Sequence, residues 1–159
     1  MRVLGARARK SVRVRIPPRP PTWYIAEIDR QRARLRKMLR SQDPKVLARR
    51  PANGDWSIVE NLRHLLFAEQ LHLGGFLSGN VEWSRMGLTE RTRSEFASVG
   101  TKPTQDVEKV FAEWDAIHIP IRKAVKSAGG EIERALWRNH RHLRIHSEVI
   151  ERMLRKWGA

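Results

Sequence analysis

The sequence contains no cysteine among its 159 residues. Disulfide bonds, thiolate nucleophiles and cysteine-ligated zinc or iron–sulfur centres are therefore excluded, and any metal ion must be held by histidine, aspartate or glutamate. The chain also lacks a run of about 18–20 apolar residues, the length that spans a bilayer. Its arginine-containing N-terminus has no apolar segment of the kind found in secretory signals. We therefore expect a cytoplasmic protein without a membrane-spanning segment.

Acidic residues are scarce: 32 lysines and arginines face 17 aspartates and glutamates, and the formal net charge is +15. Much of the imbalance comes from residues 1–22, which contain seven basic residues and no acidic one. Four prolines in the same segment favour an extended path over a helix. We predict that residues 1–21 form a flexible basic arm. The arm is either a solvated tail or a segment that contacts nucleic acid or anionic lipid non-specifically.

Four segments after the arm have apolar residues at helical spacing, and none shows the sustained two-residue alternation of a half-buried strand. Residues 80–103 contain turn-forming residues and few periodic apolar ones, which indicates a long connection between the second and third helices. The predicted fold is therefore all-α, a four-helix bundle over residues 22–159 with one long connection. The cap and breaker residues give these limits: Thr22 as N-cap to Ser41, Ser57 to Gly79, Thr104 as N-cap to Ala128, and about 131–156.

The second helix has the clearest start. Ser57 and Glu60 have the spacing of a capping box, in which each side chain accepts a hydrogen bond from the backbone amide of the other residue. This pattern assigns Glu60 to the cap rather than to catalysis, and Trp56 before it is interpreted as a core or loop anchor. In the third helix, Pro120 lies inside the apolar pattern and is expected to kink the helix or to end it early.

Three of the six histidines lie in two of the predicted helices. His142 and His146 are four residues apart, so their imidazoles lie on one helix face, about 5–6 Å apart at Cβ, and can bind one ion. A third imidazole from a neighbouring helix, such as His64, would complete a three-nitrogen site that leaves coordination positions open for water or substrate. The spacing alone favours a simpler alternative, in which the histidines are solvated or are hydrogen-bonded to carboxylates of other helices without any metal.

The stretch from Asn53 to Glu69 resembles the signature of the DinB-like bundle proteins, a family of damage-inducible metal-binding proteins. The shared features are a Gly-x-Trp-Ser turn at residues 54–57, a glutamate three residues after the serine, and a His-Leu pair seven residues after it. An HxxxH motif on the last helix is the second element of the family pattern, matched here by residues 142–146. The family includes transferases that use the thiols mycothiol or bacillithiol. The resemblance covers roughly residues 22–157.

The resemblance implies that a divalent metal ion (zinc, nickel, iron or manganese) is bound by three ligands, His64, His142 and His146. It also implies Lewis-acid activation of a water or of a low-molecular-weight thiol, which then attacks an electrophilic small-molecule substrate. We accordingly predict a metal-dependent thiol S-transferase or hydrolase and assign no catalytic residue. The segments that would shape a substrate pocket are short here, so the identity of the substrate stays open.

The alternative function is that of a non-enzymatic basic helical protein that binds nucleic acid or a protein partner. The chain has no recognisable recognition motif and no aromatic residues interleaved with its basic ones, which argues against nucleic-acid binding beyond non-specific contact by the arm. Four arginines flank the histidines and either attract an anionic substrate or are merely solvated: Arg63, Arg138, Arg141 and Arg144. Three tryptophans expected to be exposed are candidates for a homodimer interface: Trp83, Trp137 and Trp157.

Overall fold

The structure is a computed structural model, and it describes residues 19–76, 106–128 and 132–158. Within these ranges the chain forms five α-helices and one 3-10 turn, and no strand. The predicted all-α class is confirmed. The helices are α1 (Pro21–Leu39), α2 (Pro44–Ala48), α3 (Ile58–Leu73, followed by the 3-10 turn Gly74–Phe76), α4 (Val107–Val125) and α5 (Ile132–Trp157).

The four long helices form a bundle in which α5 packs against α3 and α1, and α4 packs against the same two helices from the other side. Their apolar faces meet in one core, because residues at three- and four-residue spacing lie on one side of each helix. The predicted four-helix bundle is therefore confirmed. Its most deeply buried side chains include Ile28 and Leu35 of α1, Leu62 and Leu66 of α3, Val110 and Trp114 of α4, and Leu136 and Ile150 of α5.

Two predicted helix starts were wrong. The first helix begins at Pro21, with Pro20 at the N-cap position and no side-chain cap, so Thr22 is not the N-cap. A proline at the first position suits a helix because its φ is preset and its missing N–H would have had no partner there. The third long helix is capped by Asp106, whose side chain accepts hydrogen bonds from the amides of Glu108 and Lys109, and not by Thr104.

Two further differences concern the middle of the chain. The short helix α2 packs against α3 in a region predicted to be a loop. Helix α4 continues through Pro120 to Val125, so of the two predicted outcomes, a kink or an early end, the early end does not occur. The predicted basic arm lies almost wholly outside the described residues, as does the long connection at 80–103, and both stay predictions. None of the described helices combines the length and apolar character that crossing a bilayer requires.

Candidate metal centre

The loop before α3 and the first turn of that helix fix the orientation of the side chains that follow. Gly54 adopts a φ of 84°, a left-handed conformation that glycine accepts at no steric cost, and the predicted turn forms there. The amide of Glu60 then donates to Ser57 Oγ at 3.2 Å, and the amide of Ser57 donates to Glu60 Oε2 at 2.8 Å. The capping box is thus confirmed, and Glu60 serves it as predicted.

Arg50 adds to this cap from the loop between α2 and α3. Its Nη2 donates to Glu60 Oε1 at 2.5 Å, and its Nε lies 3.0 Å from Oε2 of the same carboxylate. Burial alone would raise the pKa of Glu60, but the hydrogen bonds from Arg50 and from the amide of Ser57 outweigh burial and lower the pKa. Glu60 is therefore a charged, fully engaged cap residue, which leaves it poorly suited to act as a general base.

The three histidines singled out from the sequence come together between α3 and α5. Nε2 of His64 and Nε2 of His142 are 2.9 Å apart. The ring centroids of all three pairs lie 4.5–4.6 Å apart. One nitrogen from each ring can be chosen such that all three lie within 4.8 Å of one another. His64 thus supplies the third imidazole that the spacing of His142 and His146 required.

Asn61, one turn before His64, orients one of these rings. Its side-chain amide donates to the backbone oxygens of Ser57 at 2.9 Å and Trp56 at 3.3 Å, which identifies its other atom, Oδ1, as the acceptor. That oxygen lies 2.9 Å from Nδ1 of His146. Nδ1 must therefore carry the proton, and Nε2 of His146 keeps its lone pair. Such an outer hydrogen bond is a usual support of a metal-ligating histidine.

The surroundings keep the three imidazoles neutral. Burial, together with the neighbouring histidines, lowers the pKa of His64 to about 2 and that of His142 to about 4. Burial also lowers the pKa of His146. Only a neutral imidazole has a lone pair for a metal ion, so the cluster presents its nitrogens in the form that a ligand needs.

Trp56 covers one side of the cluster. Its ring centroid lies 5.0 Å from that of His64 and 6.3 Å from that of His146, and it is nearly parallel to the latter ring. The predicted loop anchor is therefore also a wall of the histidine cluster. A cavity of about 370 Å³ borders Trp56 and Asn61, and its other lining residues are Pro51, Gly54 and Asp55 of the loop and Val149 and Met153 of α5. None of the three clustered histidines lines it directly.

The donor set fits a divalent transition-metal ion. Three neutral imidazoles suit zinc, nickel, iron and manganese to different degrees. Imidazole nitrogens are not the hard oxygen ligands that calcium prefers. Nδ1 of His142 is buried and has no hydrogen-bond partner in the described parts of the chain. A cluster of neutral nitrogens at this spacing can hold a metal ion, and residues 64, 142 and 146 would be its ligands.

Two of the three remaining histidines, His72 and His118, have other surroundings. Nδ1 of His72 lies 3.2 Å from Oδ1 of the buried Asn139, and its ring meets that of His142 edge-on at 5.7 Å. His118 lies in α4 between two carboxylates and away from the cluster. Neither residue was assigned from the sequence.

Two sequence-based interpretations of large side chains need correction. Arg63 is 1% exposed, so it is not a solvated charge on a helix face, whereas Arg138, Arg141 and Arg144 are exposed as expected. Trp137 and Trp157 are partly buried against the core rather than exposed. Trp83 lies outside the described residues. The proposed homodimer stays a prediction, and the tryptophans of α5 now give it less support.

Sequence reasoning did not assign a role to Asn61. A signal for it exists, because Asn61 follows Ser57 by four residues and precedes His64 by three, which places all three on one face of α3. An amide that is held by the backbone of a helix start and lies one turn before a candidate ligand is a recognisable pattern. The role of Asn61 is established only by helix packing, which brings His146 of α5 within hydrogen-bond distance of its Oδ1.

The comparisons with known proteins agree with this geometry. No curated protein and no solved structure gives a match to the chain. The family model of the DinB superfamily matches residues 27–154, which extend from α1 into α5 and include all three clustered histidines. The match spans most of the chain and all four long helices of the bundle. The chain therefore belongs to the DinB superfamily.

Proposed function

We propose that the protein is a divalent-metal-dependent enzyme that transfers a low-molecular-weight thiol to an electrophilic small molecule, or hydrolyses such a molecule. The observation that carries this proposal is the convergence of three neutral imidazoles, His64, His142 and His146, at the contact between α3 and α5. Three protein ligands leave coordination positions for a reactant, which is the arrangement of catalytic rather than structural metal sites.

A bound divalent ion would supply Lewis-acid chemistry. It would lower the pKa of a bound water or thiol, so that the deprotonated nucleophile forms near neutral pH. The residues of the chain prepare this site before any reactant arrives. Asn61 holds the proton of His146 on Nδ1 and so keeps Nε2 available. Trp56 shields two of the rings from solvent on one side, which strengthens electrostatic interactions inside the site.

The cavity beside Trp56 and Asn61 reaches the histidine cluster only through these two side chains, which contact His64 and His146, and it is the place we assign to a small-molecule substrate. Its volume of about 370 Å³ is in the range of small-molecule sites, and it is lined by polar loop atoms as well as by Val149 and Met153. The exposed Asp55 is its one acidic lining residue among those that the structure describes. The apolar part of an electrophile could therefore contact Val149 and Met153, and its polar groups could contact the loop.

Metal analysis of purified variants tests the proposal. We expect about one divalent ion per chain in the wild-type protein and its loss in His142→Ala, because two imidazoles without the third bind far more weakly. His140→Ala is the matched control, since His140 lies on the same helix but contacts Trp23 and Tyr24 instead of the cluster. Full metal occupancy in folded His142→Ala would contradict the site.

Turnover distinguishes the two reaction types. The metal-loaded protein is incubated with an electrophilic substrate, with and without an added thiol, and thiol consumption and hydrolysis are measured separately. Activity of either kind should disappear in His142→Ala and persist in His140→Ala. A reaction that is equally fast in both variants would show that the histidine cluster is not the catalytic site.

A further inference from the structure

A second cavity lies where α1 packs against α5, and none of the three clustered histidines lines it. Its volume is about 570 Å³, enough for a small organic molecule. Aromatic side chains form its walls, with Trp23 from α1 and Trp137 from α5. Large, rigid aromatic surfaces of this kind contribute contact area at a low cost in conformational entropy.

Three arginines give this cavity an excess of positive charge: Arg19, Arg141 and Arg144. The guanidinium of Arg19 lies 5.1 Å from the ring centroid of Trp23, and that of Arg141 lies 5.6 Å from the ring centroid of Trp137. Stacking on a ring restrains a guanidinium while its N–H donors stay available in its own plane. Such a group is prepared to form paired hydrogen bonds with a carboxylate or a similar oxyanion.

Glu148 offsets only part of this charge. It is the one acidic lining residue that the structure describes, it is 66% exposed, and its carboxylate lies 3.9 Å from Arg144. An exposed pair at that distance contributes little binding energy, so Arg144 can exchange it for a ligand anion. The basic arm that precedes Arg19 has the same sign of charge as the cavity, which disfavours the arm as its occupant.

His140 adds a polar group to the floor of the cavity. It is 9% exposed, and its ring meets Trp23 and Tyr24 edge-on at 5.5 and 5.8 Å. No hydrogen bond joins its ring nitrogens to another described residue. Neither ring nitrogen is among the buried polar atoms that lack a partner, so both are accessible, and a ligand in the cavity can form a hydrogen bond with one of them.

We propose that this cavity binds a small aromatic carboxylate or another planar aromatic anion. The indole rings contact the aromatic part of the ligand, the arginines pair with its anionic group, and His140 forms a hydrogen bond with it. The proposal concerns a face of α5 away from the histidine cluster and does not depend on the proposed enzymatic function. Nothing in the ligand has to contact a metal ion.

Calorimetric titration of the full chain with naphthalene-2-carboxylate and with the neutral naphthalene-2-carboxamide tests this site. We expect the carboxylate to bind at least about tenfold more tightly, because only the anion forms charge-assisted hydrogen bonds with the arginines. The double variant Arg141→Gln/Arg144→Gln should remove that preference. Arg134→Gln/Arg152→Gln is the matched control, since both arginines are exposed on α5 but do not line the cavity.

Four results would overturn the proposal. The first is equal affinity for the carboxylate and the carboxamide, and the second is an unchanged preference in Arg141→Gln/Arg144→Gln. The third is loss of carboxylate binding after a chelator removes bound metal, which would place the anion at the histidine cluster instead. Binding of an oligonucleotide without binding of the carboxylate would likewise reject a small-molecule site and identify a basic surface for nucleic acid.

Discussion

The bundle places its histidines in contrasting surroundings, a half-buried cluster of three and the fully buried His118, and their partners differ. His64, His142 and His146 contact one another, Trp56 and Asn61. His118 of α4 instead lies between two carboxylates. Its Nδ1 is 2.5 Å from Glu69 Oε1, and its Nε2 is 2.6 Å from Asp29 Oδ1. The other oxygen of Glu69 accepts a hydrogen bond from Nε1 of Trp114 at 2.6 Å.

The number of protons decides what each group can do. A neutral imidazole has one N–H, so two carboxylates at the two nitrogens of His118 require one further proton, on the ring or on a carboxyl group. Both nitrogens of His118 are thereby engaged, and the ring has no lone pair for a metal ion. At His146 the partner is an amide oxygen on one nitrogen only, which leaves the other available. His118 therefore matches the alternative drawn from the sequence, in which a histidine is hydrogen-bonded to carboxylates of other helices without any metal.

The largest effect that can separate the two groups is on stability. Glu69→Ala removes the shared acceptor of Trp114 and His118 in the core, so both donors are left buried without it. We expect the free energy of unfolding to fall by about 3–5 kcal/mol, the usual result of removing one partner of a buried charged pair. Urea denaturation followed by circular dichroism measures this. Glu69→Gln should lose less, because its amide oxygen still accepts one of the two hydrogen bonds.

Metal content completes the test of Glu69→Ala. The folded fraction of this variant should bind as much metal as the wild-type protein, since none of the three clustered rings is hydrogen-bonded to Glu69 in the described contacts. Loss of metal from protein that is still folded would show that the two groups form one functional unit. The comparison between them would then no longer hold.

A smaller effect is expected at Asn61, which supports the cluster without joining it. Asn61→Ala should weaken metal binding about 10–100-fold, the usual cost of losing an outer hydrogen bond to a ligand. Asn61→Asp keeps an oxygen for Nδ1 of His146 but sets its second oxygen against the backbone oxygens of Ser57 and Trp56, so it should restore only part of the affinity. Asn139→Ala is the matched control, because it removes a similar bond, to His72, from a buried asparagine on α5.

Competition with a chelator measures these affinities, and the unfolding free energy of each variant is measured in parallel. If Asn61→Ala and Asn139→Ala weaken metal binding equally, the contact between Asn61 and His146 is not specific to the cluster. If Asn61→Ala binds metal as tightly as the wild-type protein, orientation of His146 by this side chain does not contribute to the site.

The sequence predicted the parts of the structure that depend on local rules. The capping box at Ser57, the bundle helices and the HxxxH pair all follow from spacings of three or four residues. It did not predict the partners of His118, because Asp29 and Glu69 are 89 and 49 residues away along the chain. Asn61 was missed for the same reason, since its contact with His146 spans 85 residues. Which histidine meets a carboxylate is decided by helix packing alone.

The family resemblance supplied what spacing could not. Spacing offered His64 as one possible third imidazole, the DinB-like pattern made it the expected one, and the structure places the three side chains together. Errors occurred where two local signals compete. Thr22 and Thr104 are acceptable caps by residue type, but Pro21 starts one helix earlier and Asp106 caps the other later. Several plausible caps in a short segment leave the boundary undetermined.

The smallest expected effect concerns another carboxylate, that of Glu60 at the start of α3, which is paired with the half-exposed Arg50 instead of with a histidine. Glu60→Gln should lower the free energy of unfolding by about 1 kcal/mol at pH 7, as expected for a weakened cap. Metal binding and the surroundings of His118 should be unchanged. Glu148→Gln is the control, because that carboxylate is 66% exposed and its loss should change stability by less than about 0.5 kcal/mol.

The effect of Glu60→Gln should also depend on pH. Burial opposes the charged form, but the hydrogen bonds from Arg50 and Ser57 prevail, so the pKa of Glu60 is lower in the folded protein than in the unfolded chain. Its contribution to stability is therefore fully present above the unfolded value, about 4.3. That contribution is lost as the pH falls through the folded pKa. Urea unfolding at about pH 7 and about pH 3 should show the difference between wild type and variant shrinking on acidification. A difference that grows at the lower pH would mean that burial, and not the hydrogen bonds, dominates at this carboxylate.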